Sequence, residues 1–366
     1  MPGRLVVAKI GTSSLTDDRG VIDDDAIEKL CSEVAGLRAT GERVVVVTSG
    51  AIAAGLPVLG LDGSRPTDPA VLQAVSAVGQ AHLVDRYNRA LAKHDLVAGQ
   101  VLLAPLDFVN RKQYLHARQT LQVLLDLGVV PVVNENDAIA DDEIRFGDND
   151  RLAALVSHLL AADLLVLLTD QPGLLTGDPR LDREASLIEE IVAVDHTLEA
   201  LAGGAGTARG SGGMASKLAA AKIAAWSGVR AVIAAASRPG VLADALAGAG
   251  GVGTVFVPRE ARLPARKLWI AFAVGASGTV VVDEGARRAL VERGVSLLPA
   301  GIVSVTGDFD ADDAIELAGP DGRVFAKGLA RHSAGMARRL VGRRSSELPS
   351  DVPAEMVHRD DLVILP

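Results

Sequence analysis

The chain carries a single cysteine, Cys31, in 366 residues. No intrachain disulfide can form, and a lone thiol inside an apolar helical pattern reads as a buried structural group in a reducing compartment. Aromatic residues reach only 3%, so the core has to be assembled from Val, Leu, Ile and Ala. Basic charge is not in excess: the formal net charge is −9, which argues against general nucleic-acid or membrane-surface binding while leaving a local patch open. No apolar run is long enough to span a bilayer and no secretory leader is recognisable, so a soluble, cytoplasmic protein with no membrane partner is expected. The histidines His82, His94, His116, His158 and His196 show no metal-ligand spacing; they read as ordinary surface or core residues.

What the chain does have is apolar material, 49% of residues with a mean hydropathy of +0.28, over a length that suggests two domains. Short Val/Leu/Ile runs predict strands at 5–10, 43–48, 97–103, 129–133, 164–169, 231–235 and 254–257, mostly with helical stretches between, such as 24–38 and 152–160. Continuous apolar strands alternating with helices predict an α/β domain whose mainly parallel sheet is sandwiched by helices. Ligands of such sheets bind beyond the carboxyl ends of the strands. Here those ends carry Lys9-Ile10-Gly11-Thr12, Thr48-Ser49-Gly50, Asn134-Glu135-Asn136-Asp137 and Thr169-Asp170. Four polar ends converging on one sheet edge point to a ligand site.

The stretch Gly210 to Lys217 (GSGGMASK) leads into the helical run 218–226. Glycine allows close backbone approach, and a helix start presents N–H groups and a positive dipole end to an anion. With Lys217 in the first turn, this stretch reads as a phosphate site; the alternative is a flexible linker. It is not a Walker A loop, which ends in Gly-Lys-Ser/Thr. The match to G-x-G-x-x-G at 248–253 precedes a strand rather than a helix, so it is no dinucleotide fingerprint.

Lys9 inside an apolar strand implies a nearby anion, or else a side chain reaching for solvent. Ser49 lacks a nucleophile elbow and a His/Asp set, leaving a ligand hydrogen bond or a helix cap. Residues 134–150 pair two polar clusters with the acidic loop at 141–143, a pattern suited to a small polar ligand and open to Mg²⁺; Asp148 and Asp150 would equally serve a helix start. The turn-rich segment 171–179 suits a nucleotide. From 258 the character changes. PREARLPARK, with two prolines and four basic residues, reads as a linker over 258–274, and short strand-like pieces beyond it predict a small, mainly β domain over 275–366, leaving 1–257 as the first domain.

The segments VVAKIGTSSLT, VVVVTSGAIAAG, VVPVVNENDAIA, RFGDNDRLAALV, LLTDQPGLLTGDPR and SGGMASKLAAAKIA, in this order and at these intervals, resemble the amino acid kinase family, and within it the members that phosphorylate glutamate. The tail (282–286, 296–301 and 358–361) resembles a PUA domain. The resemblance implies transfer of the ATP γ-phosphate to the side-chain carboxylate of L-glutamate, the first step of proline synthesis, with ATP and Mg²⁺ as cofactors. It implies that Lys9, Thr169, Asp170, Ser211, Gly212, Gly213, Met214, Ala215, Ser216 and Lys217 serve ATP, and that Ser49, Asp137 and Asn149 hold glutamate. Lys9 and Lys217 would neutralise the moving phosphoryl group, with Asp150 orienting them; the metal ligands stay unknown. Ser211 stands where the family often has threonine, which keeps the hydroxyl. Proline as feedback inhibitor, a homo-oligomer and RNA binding by the tail are further implications.

The chemistry of the residues agrees with that assignment. A glutamate side chain is already a nucleophilic anion at neutral pH, so no catalytic histidine is required, and phosphoryl transfer is mostly positioning and charge neutralisation. The Asn/Asp-rich acceptor segments would repel a second phosphate and suit an α-ammonium, for which Asp137 is the expected partner. Aspartate or N-acetylglutamate remain alternative acceptors. RNA is the alternative of another class, resting on Arg331, Arg338, Arg339, Arg343 and Arg344.

Overall fold

The computed structural model describes residues 3–61, 66–104, 106–139, 149–177, 184–192, 198, 213–259, 263–344, 347–348 and 353–365. The chain divides into two compact units, 1–262 and 263–366.

The first unit holds an eight-stranded sheet in the order β3-β4-β2-β1-β5-β7-β8-β6. Its strands are β1 (Leu5–Ile10), β2 (Arg43–Thr48), β3 (Ala98–Leu103), β4 (Val130–Glu135), β5 (Leu164–Thr169), β6 (Glu190–Ile191), β7 (Arg230–Ala235) and β8 (Thr254–Phe256). From β3 through β7 every neighbouring pair is parallel; β8 runs antiparallel to β7, and β6 lies parallel to β8. The mainly parallel sheet expected from the apolar runs is therefore present, and the four polar ends noted above, on β4, β2, β1 and β5, stand side by side at one edge. Glycine 248 ends a short helix, Val241–Ala247, and the residues after it enter β8, consistent with the rejection of a dinucleotide fingerprint.

Period-two alternation sorts the side chains of β1 between faces. Val6, Ala8 and Ile10 belong to a core cluster with Ile27, Leu30, Val34 and Leu37 of helix α1 (Asp24–Ala39), the long-helix residues Leu83 and Tyr87, and Val241 and Leu242. Lys9 takes the opposite face, between Val47 of β2 and Leu167 of β5 in register. Helix starts are locally encoded: Asp23 accepts from the Asp25 N–H at the start of α1, and Asp68 caps the 24-residue helix Pro69–Ala92, whose first residue is proline.

Two glycines set one helix contact. Helix α2 (Ala51–Val58) crosses the N-terminal half of α3 (Pro69–Ala92) so closely that a Cβ on Gly79 would lie 1.8 Å from the Ala51 carbonyl oxygen, and one on Gly55 would lie 2.1 Å from that of Val75. Only the absence of a side chain permits this approach. It presses Val75 and Gly79 of α3, the residues next to Ser76 and Gln80 in the chain, against α2.

The second unit is built on a five-stranded sheet, β10-β9-β11-β12-β13, with β9 (Gly278–Val282), β10 (Ile302–Gly307), β11 (Ala314–Ala318), β12 (Val324–Leu329) and β13 (Leu362–Ile364). Its own core includes Val280, Val282, Leu290, Ile315, Leu317 and Ala326. A correction to the expected linker, 258–274, follows from its second half. Residues 265–273 are helical, Leu268 and Ile270 are buried, and Arg266 pairs with Asp361 at 2.5 Å. The prolines and basic residues suggested a spacer, whereas the apolar residues among them anchor this stretch in the second unit.

Candidate active site

Three elements meet at one buried carboxylate. Asp150 lies in the first turn of α6 (Asn149–Leu160) and is 0% exposed. Lys9 Nζ approaches its Oδ1 at 2.5 Å, and Lys217 Nζ donates to its Oδ2 at 3.2 Å. Lys9 and Lys217 are themselves only 3% and 5% exposed. Ser216 Oγ is 2.7 Å from the same Oδ2 and 2.8 Å from the Gly213 carbonyl oxygen, so its one proton can serve either acceptor. Burial alone would push the Asp150 carboxyl up; Lys9 and Lys217 override it and hold the group at about 2, against an ordinary 3.8. A lysine removed from water in this way is stable only beside an anion. Two cations around one carboxylate leave a surplus of positive charge, which suits a phosphate.

The helix carrying Lys217, α7, spans Met214–Trp226 and starts at Gly213 with no side-chain cap on its first N–H groups. Those donors and the dipole favour an anion at the same place. Gly11 follows Lys9 by two residues, and a Cβ there would stand 3.3 Å from Lys9 Nζ, so the turn after β1 leaves the ammonium room. Thr169 and Asp170 close β5, with Thr169 Oγ1 donating to Asp170 Oδ1 at 3.0 Å. They line a cavity of about 290 Å³ with Ile10, Ser14, Ala236 and Ser237. Neither Lys9 nor Lys217 is on its wall; Ile10, Leu30 and Val241 line it on the α1 side of the sheet.

On the other side of Lys9 the site is built of hydrogen bonds among mostly neutral groups. Asn149 Nδ2 donates to Ser49 Oγ at 3.0 Å, and the Glu135 N–H donates to Asn149 Oδ1 at 3.2 Å and Asn134 Oδ1 at 2.9 Å. Asn134 Nδ2 donates to Gln80 Oε1 at 2.8 Å, and Ser76 Oγ donates to Asp137 Oδ2 at 2.6 Å. Burial pushes the Asp137 carboxyl above its ordinary range, an effect the Ser76 hydroxyl partly offsets. Among the described residues Asp137 has no cationic partner. Gly50, with φ +103°, is the N-cap of α2, so Ser49 is free of that duty and meets Asn149 instead.

Lys9, Asp150, Ser216 and Lys217 are thus brought together; Ser49 and Asn149 are joined to Asn134 and Gln80 through one hydrogen-bond chain, and Asp137, held separately by Ser76, follows the end of β4 by two residues. Gly213, Met214 and Ala215 form the helix start; Ser211, Gly212, Asp148 and the acidic loop 141–143 lie outside the described residues. The sequence reading missed Ser76 and Gln80. They stand four apart on α3, flanking Gly79 in the buried stripe that includes Val75 and Leu83, and two polar residues in such a stripe are the signal that could have found them. Cys31 is buried, and burial, with a contribution from Glu28, raises its thiol to about 12, in keeping with a structural role. Among the described residues no group of three or more His, Cys, Asp or Glu could hold a metal ion, and no helix is long and apolar enough to cross a membrane.

A mainly parallel sheet with cationic side chains and a helix start at its carboxyl edge defines a phosphate-handling α/β protein, and the family model of the amino acid kinases matches residues 4–235. The chain belongs to the amino acid kinase family. A second model, the PUA domain, matches residues 278–350. Glutamate 5-kinase of Trichlorobacter lovleyi is 44% identical over 366 residues, covering 99% of this chain and 97% of the relative. Glutamate 5-kinase of Burkholderia multivorans is 45% identical over 366 residues, covering 99% and 98%. Among solved structures, carbamate kinase from Giardia lamblia bound to AMP-PNP superposes with a TM-score of 0.51 at 18% identity, covering 70% of this chain and 99% of that one, a likeness of fold.

Proposed function

We propose that the chain transfers the γ-phosphate of ATP to the side-chain carboxylate of L-glutamate, giving L-glutamyl 5-phosphate, the first step of proline synthesis. The observation that carries this reading is the buried Lys9–Asp150–Lys217 arrangement. Similarity to glutamate 5-kinases over almost the whole chain supports the choice of acceptor.

In this reading a carboxylate oxygen of glutamate attacks the γ-phosphorus as the bond to the β–γ bridging oxygen breaks, and ADP departs. No proton moves, so no general base is required. Lys9 and Lys217 neutralise the charge on the transferring group, while Asp150 fixes both ammonium groups. The uncapped start of α7 receives phosphate oxygens, with Ser211 and Gly212 in the same stretch, and Thr169 and Asp170 face the nucleoside. Magnesium would supply further neutralisation when bound; with few carboxylates gathered here among the described residues, it would be held chiefly by phosphate oxygens and water. Ser49 and Asn149 bind the acceptor, and Asp137, a buried carboxylate, gains most from an α-ammonium. Proline, which keeps an α-carboxylate and an amine, would compete for the same groups. Exposed Leu115, Val123 and Leu127, on and just after the helix Arg111–Asp126, support a homo-oligomer.

The test is ATP-dependent formation of γ-glutamyl hydroxamate, with glutamate, aspartate and N-acetylglutamate compared. Glutamate should give product far faster than either; no product with glutamate would overturn the function.

RNA binding by the second unit is a separate reading, favoured by the PUA match. Arg331, Arg338, Arg339, Arg343 and Arg344 are exposed, yet Arg338 already donates to backbone carbonyls and Arg331 lies 3.9 Å from Asp361. Salt-dependent RNA binding by the full chain would support it, and its absence would remove it.

A further inference from the structure

Gln80 is 7% exposed, and its side-chain amide is used on one side only. Oε1 accepts from Asn134 Nδ2 at 2.8 Å. Nε2 is buried with no hydrogen-bond partner among the described residues. A buried amide N–H left without an acceptor costs free energy, and such groups are rare unless something absent from the structure completes them. The surroundings indicate what completes this one. Gln80 stands one helical turn beyond Ser76, the residue that holds Asp137, and residues four apart share a helix face. Gly79, the residue before Gln80, packs against Ala51 at the start of α2, directly after Ser49 and Gly50.

We infer that Gln80 Nε2 donates to the α-carboxylate of the acceptor, making Gln80 a binding residue that selects for an amino-acid head group. The inference rests on the glutamate reading above: with the ammonium on Asp137, the geminal α-carboxylate lies one carbon away and needs a donor, and Gln80 supplies one that carries no charge and is already desolvated. A neutral amide also avoids the cost of bringing a second buried cation into this side of the site.

The test uses Gln80→Glu and Gln80→Leu in the full-length enzyme. Glu keeps an acceptor for Asn134 while replacing the unpartnered donor with an oxygen; Leu removes both functions at similar size. Steady-state kinetics are measured with L-glutamate and with 4-aminobutyrate, which retains the amine and the reacting carboxylate but lacks the α-carboxylate, read as a substrate or as a competitive inhibitor. For Gln80→Glu, the glutamate KM should rise about tenfold to a hundredfold, with kcat within about threefold, the ATP KM unchanged, and the constant for 4-aminobutyrate unchanged. Gln80→Leu should raise the glutamate KM as well. An unchanged glutamate KM in Gln80→Glu, or an equal loss for both acceptors, would overturn the inference, the second result pointing to a purely structural tie to Asn134. A wild-type enzyme inactive towards glutamate would instead sink the function itself, and this inference with it.

Discussion

In the proposed reaction the two halves of the site solve opposite problems with opposite materials. On the phosphate side, Lys9, Asp150 and Lys217 are ions withdrawn almost wholly from water. On the acceptor side, Ser49, Asn134, Asn149, Ser76 and Gln80 are neutral, and Asp137 is the one acceptor-side charge proposed to touch the ligand. A buried ion pair gains little net stability because its desolvation cost rivals its Coulomb energy. The arrangement makes sense where charge is going to move. Fixed ammonium groups in a dry setting stabilise a transferring phosphoryl group without having to reorganise. The acceptor moves no charge until it attacks, so hydrogen bonds suffice to hold it, and they discriminate well because a missing partner leaves a buried group unsatisfied.

The contrast can be broken in descending steps. Asp150→Asn should have the largest effect, destabilising the fold by about 3–5 kcal/mol at neutral pH, since two buried lysines lose their anion; thermal denaturation reads this. The same comparison has a pH signature. Asp150 is held at about 2 in the folded chain against an ordinary 3.8. Its folded pKa is depressed, so its contribution is complete above about pH 4 and fades as pH falls through about 2. The Tm difference between wild type and Asp150→Asn should therefore shrink below pH 4; a difference that grew on acidification would reverse the assignment. Next, Lys217→Ala should lower kcat about a hundredfold to a thousandfold with the melting transition retained, as removal of a transition-state contact does. A change confined to KM would make Lys217 a plain binding residue. Asp137→Ala belongs to the other half: the glutamate KM should rise about tenfold or more with little change in kcat, and an unchanged KM would remove Asp137 from the ammonium. Ser76→Ala is the mildest. Without the hydroxyl the Asp137 carboxylate is less well supported, and the glutamate KM should rise about threefold; a kcat defect would place Ser76 elsewhere in the mechanism.

The same contrast explains how much could be read in advance. The sheet was legible because the central parallel strands β1, β2 and β5 are nearly continuous apolar runs, and its polar edge because Lys9, Thr48, Asn134 and Thr169 interrupt such runs at their ends. Lys9 was conspicuous as a charge among apolar neighbours, and Lys217 as a cation closing a glycine-rich stretch. Asp150 carries no such mark, since an acid in a first helical turn is an ordinary sight. Only its convergence with β1 and α7 distinguishes it, and that convergence is a long-range fact. Ser76 and Gln80 were hidden further. Two polar residues in an apolar helical stripe are a faint signal, and their role comes from partners on a distant strand, Asn134, and just beyond its end, Asp137. The linker was misjudged because Pro264 and the basic residues around it outweighed Leu268 and Ile270, whose burial depends on strands that come later.

The glycine crossing carries one consequence for how such a site can change. The clearance between α2 and α3 is set by main-chain atoms alone, so it cannot be adjusted by swapping one side chain's rotamer for another. Any residue other than glycine at position 79 must spread the two helices, and the spread moves Ser76 and Gln80 as one block. Lys9, Asp150 and Lys217 hang from β1, α6 and α7, and the displacement reaches α6 through the hydrogen-bond chain that runs from Gln80 by Asn134 and the Glu135 N–H to Asn149. In the proposed reaction the glycine crossing is thereby a mechanical setting for acceptor affinity, fixed at its tightest stop.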